Sequence, residues 1–109
     1  MDSRVSAVAE QLLLIERELR VQGWWSLESP AEAALASQEP FCVDTLEFEE
    51  WLQWIFLPRM KIILESGGPL PEVSGIRHMA DVVYREQPLK AKTLLSLLDG
   101  FDRLITRAV

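Results

Sequence analysis

Apolar side chains recur at helical spacing in four stretches of this chain. Val5, Val8, Leu12, Ile15 and Leu19 follow steps of three and four, which lines them along one face of a helix. Leu13 and Leu14 are expected to widen that stripe. The spacing predicts a helix over 3–21, with Gly23 as its C-terminal stop. A second stripe, Ile76, Met79, Ala80, Val83 and Tyr84, predicts a helix from Ser74 or Gly75 to Gln87. A third, Leu94, Leu97, Leu98, Phe101, Leu104 and Ile105, follows Pro88, a residue suited to a first helical turn. Gly100 sits inside that stripe at a cost in helix propensity of up to about 1 kcal/mol relative to Ala, so a neighbour is expected to approach closely there.

The fourth stretch, from Asp44 or Thr45 to about Ser66, is different. Taking about 100° per residue with Leu46 as origin, Phe48, Trp51, Leu52, Ile55 and Phe56 form a broad apolar arc, and Glu49, Glu50 and Gln53 oppose it. Leu46, Trp54 and Leu57 fall among the polar positions. A helix apolar nearly all round is usually a buried central one. The sharper alternative is an exposed patch around Trp54, rimmed by Glu50 and Gln53, of the kind that docks a partner. Asp44 with Glu47 reads as a capping box. Pro58 cannot donate to the Trp54 carbonyl, so a kink is expected there. If the helix stayed straight, Arg59 would face the core arc.

Between 24 and 43 lies a long connection. Ser29-Pro30-Ala31-Glu32 reads as a capped helix start, and Ala33-Ala34-Leu35-Ala36 favours a short helix that ends at Gln38-Glu39-Pro40. A connection this long should be pinned or functional. Trp24, Trp25, Leu27, Leu35 and Phe41 are the expected pins. Gly67-Gly68-Pro69-Leu70-Pro71 is a loop. No stretch alternates with period two for long enough to make a strand, and no internal repeat occurs. The pattern predicts an all-α fold: a four-to-five-helix bundle, mostly antiparallel, with a long helix 1–2 connection, as a single domain over 1–109.

Charge narrows the functions. The formal net charge is −6, and residues 21–58 hold seven acids and no Lys or Arg. An acidic chain repels phosphate backbones, so direct nucleic-acid binding is not expected. The acidic middle would attract a basic protein. No apolar run is long enough to span a bilayer, no signal-peptide pattern follows Met1, and Cys42 is the lone cysteine. A cytoplasmic location with no membrane contact is therefore expected.

Catalytic constellations are hard to find. His78 is the only histidine and has Gly75 where a bundle di-metal motif needs Glu. Structural zinc fails on ligand count. Cys42 has acidic neighbours, Glu39 and Asp44, which oppose a reactive thiolate. Gly67-Gly68 lacks the Lys-Ser or Lys-Thr of a phosphate loop. Neither a metal nor a cofactor is expected. Arg59 follows Pro58 and is the first base after the acidic stretch. Its expected use is a structural ion pair with Glu39, Asp44 or another acid, and its alternative use is an anion or carboxylate clamp.

One region carries a resemblance. Gln38-Glu39-Pro40-Phe41, Asp44-Thr45, Glu50-Trp51-Leu52-Gln53-Trp54, Pro58-Arg59-Met60 and Pro69-Leu70-Pro71 resemble the signature of the YqcC-like proteins of gamma-proteobacteria. One extra residue interrupts the family's Gln-Pro-Phe, in a loop. The resemblance implies a helical bundle and transfers no site residues. Genes of that family often neighbour one for a tRNA pseudouridine synthase acting on uridine 65, whose name the family has sometimes carried. Such an enzyme needs a catalytic Asp, typically in Gly-Arg-Leu-Asp, on a larger α/β scaffold. Leu98-Asp99-Gly100 lacks that context, so intrinsic synthase activity is not expected. The expected function is a non-enzymatic interaction or accessory protein, linked to tRNA modification through a protein partner. Its candidate surface comprises Trp24, Trp25, Phe41, Asp44, Glu50, Trp51, Trp54 and Arg59. The alternative is a small-molecule pocket lined by Trp24, Trp25, Phe41, Trp51 and Arg59. Homodimerisation would be a second use of the C-terminal leucine stripe.

Overall fold

In the computed structural model, which describes residues 3–106, all regular structure is helical, with no strand among the described residues. In order come α1 (Val5–Val21), the short α2 (Glu32–Leu35), a 3-10 turn (Pro40–Cys42), α3 (Phe48–Trp51), a π turn (Leu52–Phe56), α4 (Leu57–Ser66), α5 (Ile76–Val83) and α6 (Lys92–Ile105). No helix of the described residues is long and apolar enough to cross a membrane.

The expected stripe of α1 is buried at Val8, Leu12, Ile15 and Leu19. It is narrower than expected, because Leu13 and Leu14 face solvent. Gly23 ends the helix in the left-handed conformation at φ 75°. There Trp24 N–H donates to the Leu19 carbonyl and Gly23 N–H to that of Arg20, a Schellman ending. Helix α6 lies antiparallel to α1. Arg4 donates to the Leu104 carbonyl at 2.8 Å, Gln11 to that of Leu97 at 2.6 Å and Gln22 to that of Lys90 at 2.7 Å. The close neighbour expected at Gly100 is Gln11, whose Nε2 would lie 2.7 Å from an added Cβ.

The central helix runs through α3, the π turn and α4 without a break. Its start differs from expectation. The N-cap is Glu47, whose N–H donates to the Glu50 carboxylate at 2.8 Å, and Asp44 instead accepts from the Ser37 hydroxyl. The π turn is the way this helix accommodates Pro58. It widens the turn ahead of the proline, where an ordinary α-turn would bring the pyrrolidine ring against the Trp54 carbonyl. It also adds one residue, which sets the helical phase back by about 100°. Leu57 and Met60 thereby reach the core, while Arg59 and Ile62 turn out to solvent. A straight helix would have turned Arg59 toward the core; with the π turn ahead of Pro58 it faces solvent.

Other starts and stops also moved. Ser29 does not cap α2, whose N-cap is Ala31; its hydroxyl donates to the Pro30 carbonyl. Helix α5 stops at Val83, short of Gln87, and Pro88 lies in the turn before α6 rather than in its first turn. Nothing local caps α5. Asp102 on α6 does so from a distance: its carboxylate accepts from Ile76 N–H at 3.0 Å, Arg77 N–H at 2.8 Å and the Ser74 hydroxyl.

Gly100→Ala tests the α1–α6 seam. The gain in helix propensity, ~1 kcal/mol, opposes displacement of the Gln11 amide and loss of its hydrogen bond, ~1 kcal/mol. Urea denaturation should show little change for the single variant. The same substitution in a Gln11→Ala background should stabilise by about 1 kcal/mol. Equal gains in both backgrounds would show that Gln11 does not crowd Gly100.

Candidate functional site

The eight residues singled out in the sequence do not form one surface. Three concavities divide most of them. The first is a groove of about 410 Å³ between the 25–27 segment and the central helix, lined by Trp25, Ser26, Leu27, Gln53, Trp54, Leu57, Pro58 and Lys61. The second, about 330 Å³, includes Trp51, Phe56, Arg59, Val73, Ile76 and Phe101. The third, about 140 Å³, includes Phe41, Phe48 and Met79. Trp24 lines none of the three. It stacks on Tyr84 with ring centroids 5.0 Å apart, and the Lys90 ammonium lies 5.3 Å above it. A single pocket of Trp24, Trp25, Phe41, Trp51 and Arg59 is therefore not what these side chains build; only Trp51 and Arg59 share a cleft.

The first groove exists because the long connection is strapped across the central helix. Gln53, expected on a solvated rim, is buried at 5% exposure. Its side-chain carbonyl accepts from Ser26 N–H at 2.8 Å, and its amide donates to the Ser26 carbonyl at 2.7 Å. This two-way pair satisfies a full backbone unit, which is why a buried amide is tolerated there. Trp25 is held next to it under the Arg20 guanidinium, 4.3 Å from the ring centroid. Arg20 and Lys61 both reach Glu16, at 3.2 and 3.1 Å. Burial alone would raise the Glu16 pKa, but those two cations outweigh it and hold the carboxyl below its ordinary value. Leu27 was expected to pin the connection and does not: it is 95% exposed. Trp54 is half-buried on the groove's floor, and its Nε1 is cut off from solvent with no acceptor. A buried N–H without a partner costs free energy, and with the indole in this position an acceptor entering from solvent does not reach it.

The 39–48 segment is anchored through aromatic packing. Phe41 meets Trp51 edge-on at 4.7 Å and Phe48 at 6.2 Å. Both Phe41 and Cys42 carry positive φ, 58° and 49°, a strained conformation for side-chain-bearing residues. The Phe41 ring contacts and the burial of Cys42 offset that strain. Cys42 is buried while His78 is exposed. No group of three His, Cys, Asp or Glu among the described residues could hold a metal. Asp99, in the position nearest to a synthase motif, is engaged by Arg103 at 2.9 Å and Arg77 at 3.8 Å.

Arg59 forms no ion pair among the described residues, so the expected bond to Glu39 or Asp44 is absent. By periodicity Tyr84 is only the end of the α5 apolar stripe. Its hydroxyl donates to the Glu49 carboxylate at 2.8 Å inside the aromatic cluster. A lone tyrosine at the end of a stripe was the available signal. Burial first, then the Glu49 charge and hydrogen bond, push the phenol far above its ordinary range.

This yields a pH prediction. Tyr84 is the chain's only tyrosine, so phenolate absorbance reports it alone. Its folded pKa lies above the unfolded value of about 10, so its contribution to stability is intact below that pH and is lost as pH rises beyond it. Phenolate absorbance should appear only with unfolding, and Tyr84→Phe should flatten the alkaline loss of stability. A phenol titrating near pH 10 in the folded protein would contradict the burial.

Comparison with known proteins places this geometry in context. Residues 7–104 match the DUF446 family, described as "tRNA pseudouridine synthase C". An uncharacterized protein of Haemophilus influenzae is 42% identical over 77 residues, covering 71% of this chain and 70% of that one. The YqcC protein of Escherichia coli is 31% identical over 94 residues, 86% of each chain. A protein of Pectobacterium carotovorum named tRNA pseudouridine synthase C is 49% identical over 69 residues, 63% of this chain but 18% of that longer one. The solution structure of E. coli YqcC superposes with a TM-score of 0.85 at 28% identity, covering 99% of this chain and 92% of its own. With a family match over nearly the whole sequence and a shared helical fold, this chain belongs to the DUF446 family, of which YqcC is a relative.

Proposed function

We propose that this protein is a non-enzymatic accessory to tRNA modification, acting in the cytoplasm through a protein partner, and that the partner is a tRNA pseudouridine synthase. The observation that carries the reading is the Pectobacterium relative. There a segment similar to this chain occupies 18% of a longer protein that bears the synthase's name. Most of that protein lies outside the similarity, so its name can describe chemistry that this segment does not perform. Two units joined in one polypeptide share a high effective concentration, and the same two units as separate chains need a docking surface instead.

The Trp54 groove suits that role. It combines apolar lining from Trp25, Trp54, Leu57 and Pro58 with the exposed Leu27 at its edge. Such a site accepts an apolar side chain of a partner segment. Nearby in sequence, the seven acids of residues 21–58 complement the positive potential of a protein that holds tRNA.

Gel filtration of this protein mixed with the tRNA pseudouridine synthase of the same organism is expected to give a joint peak. Leu27→Asp, a change at an exposed position, should weaken the complex without altering the thermal midpoint, and Trp54→Ala should weaken it further. The protein alone should form no pseudouridine in a tRNA transcript. Separate elution at every ionic strength, or pseudouridine formed by the isolated chain, would end this reading.

A further inference from the structure

The second cleft plays no part in the partner reading. It lies between α4, the 71–76 segment and α6, and its lining is apolar apart from Arg59 and Ser74. Trp51 stacks on Phe56 at 5.6 Å, and Phe56 meets Phe101 edge-on at 4.9 Å, which makes one wall of rigid rings. The facing wall is fixed by backbone bonding. Ser74 N–H donates to Thr106 Oγ1 at 2.7 Å, Thr106 Oγ1 donates to the Ser74 carbonyl at 3.1 Å, and the Ser74 hydroxyl is committed to Asp102. The cleft is therefore formed in advance. Its size, about 330 Å³, lies at the small end of ligand sites, enough for one ring system or a short alkyl chain. Val73 at its edge is 74% exposed, an apolar side chain left uncovered.

Arg59 decides the chemistry. It is the only charged residue lining this cleft, and no carboxylate among the described residues pairs with it. A guanidinium at the mouth of an apolar slot selects an acid carrying an apolar body. We propose that this cleft binds a small amphipathic carboxylate, its aryl or alkyl group against Trp51, Phe56 and Ile76 and its carboxylate on Arg59. Because Arg59 is exposed, the ionic contribution is modest and salt-sensitive. The apolar contact supplies the remainder.

The test is an amide and indole NMR titration of the full chain with 2-naphthoate and with its neutral isostere 2-naphthamide. Saturable shifts are expected at the Trp51 indole and the 74–76 amides, with naphthoate the tighter of the two. Arg59→Gln changes an exposed side chain, so the fold should persist. It should weaken naphthoate about fivefold and leave naphthamide unchanged. No saturable shift, equal affinity for the two probes, an unaltered Arg59→Gln variant, or shifts centred on Trp25 and Trp54 would each overturn the assignment. Leu27→Asp should leave this titration untouched, so it can fail independently of the partner reading.

Discussion

A helix that is apolar on nearly every side must be covered on every side, and the remaining helices of this chain cannot do that alone. The central helix presents Phe48, Leu52, Phe56, Leu57 and Met60 to the helical core, yet Gln53 and Trp54 still point elsewhere. The 22–47 connection covers that side. Burying this backbone would be prohibitive without hydrogen bonds, and Gln53 supplies them to Ser26. The placement of Trp25, the Trp54 groove and the path of the connection all follow from this requirement. The strain at Phe41 and Cys42 belongs to the same solution, because the chain must turn sharply there to bring the Phe41 ring onto Trp51.

Periodicity alone disclosed much of this architecture. The α1, α5 and α6 stripes were legible because regular α-helices keep a constant phase, and the buried sets of α1 and α6 fall on the expected positions. Two kinds of feature were not legible. The first is any break in phase. The π turn at 52–56 invalidates a fixed angular step, so extrapolating a straight helix misplaces Arg59 and makes Leu57 look anomalous. The second is any cap supplied across space. Asp102 serves α5 from 26 residues away, and no local motif announces it. Asp44 failed for the opposite reason: a plausible local box competed with a better one at Glu47 and Glu50. The candidate site was legible as a set of residue types and not as a constellation. Trp24, Trp25, Phe41, Trp51 and Trp54 are all half-buried, but side chains on different faces of the connection and the central helix need not converge.

Several polar groups of the described residues are committed to holding the helices. Asp99 is engaged by two arginines, Asp102 by backbone amides and Tyr84 by Glu49. Polar groups in such arrangements hold helices together. Among the described residues, Arg59 lines a cleft as a cation without an ion pair, and the Trp54 indole N–H is a buried donor without an acceptor.

The wide turn ahead of Pro58 bears on how chain length can drift among relatives. An additional residue near Glu39 enters an exposed, irregular stretch and leaves every helix facing as before. Winding 52–56 at ordinary pitch with no change of length would swing everything downstream by more than a quarter of a revolution, so that Leu57 and Met60 left the interior while Arg59 and Ile62 entered it. Removing one residue there does the opposite: the segment closes to ordinary pitch and Leu57 and Met60 keep their facing. A one-residue gap in sequence comparisons of this family should therefore be tolerated at two places, the stretch between the first two long helices and the five residues before the proline.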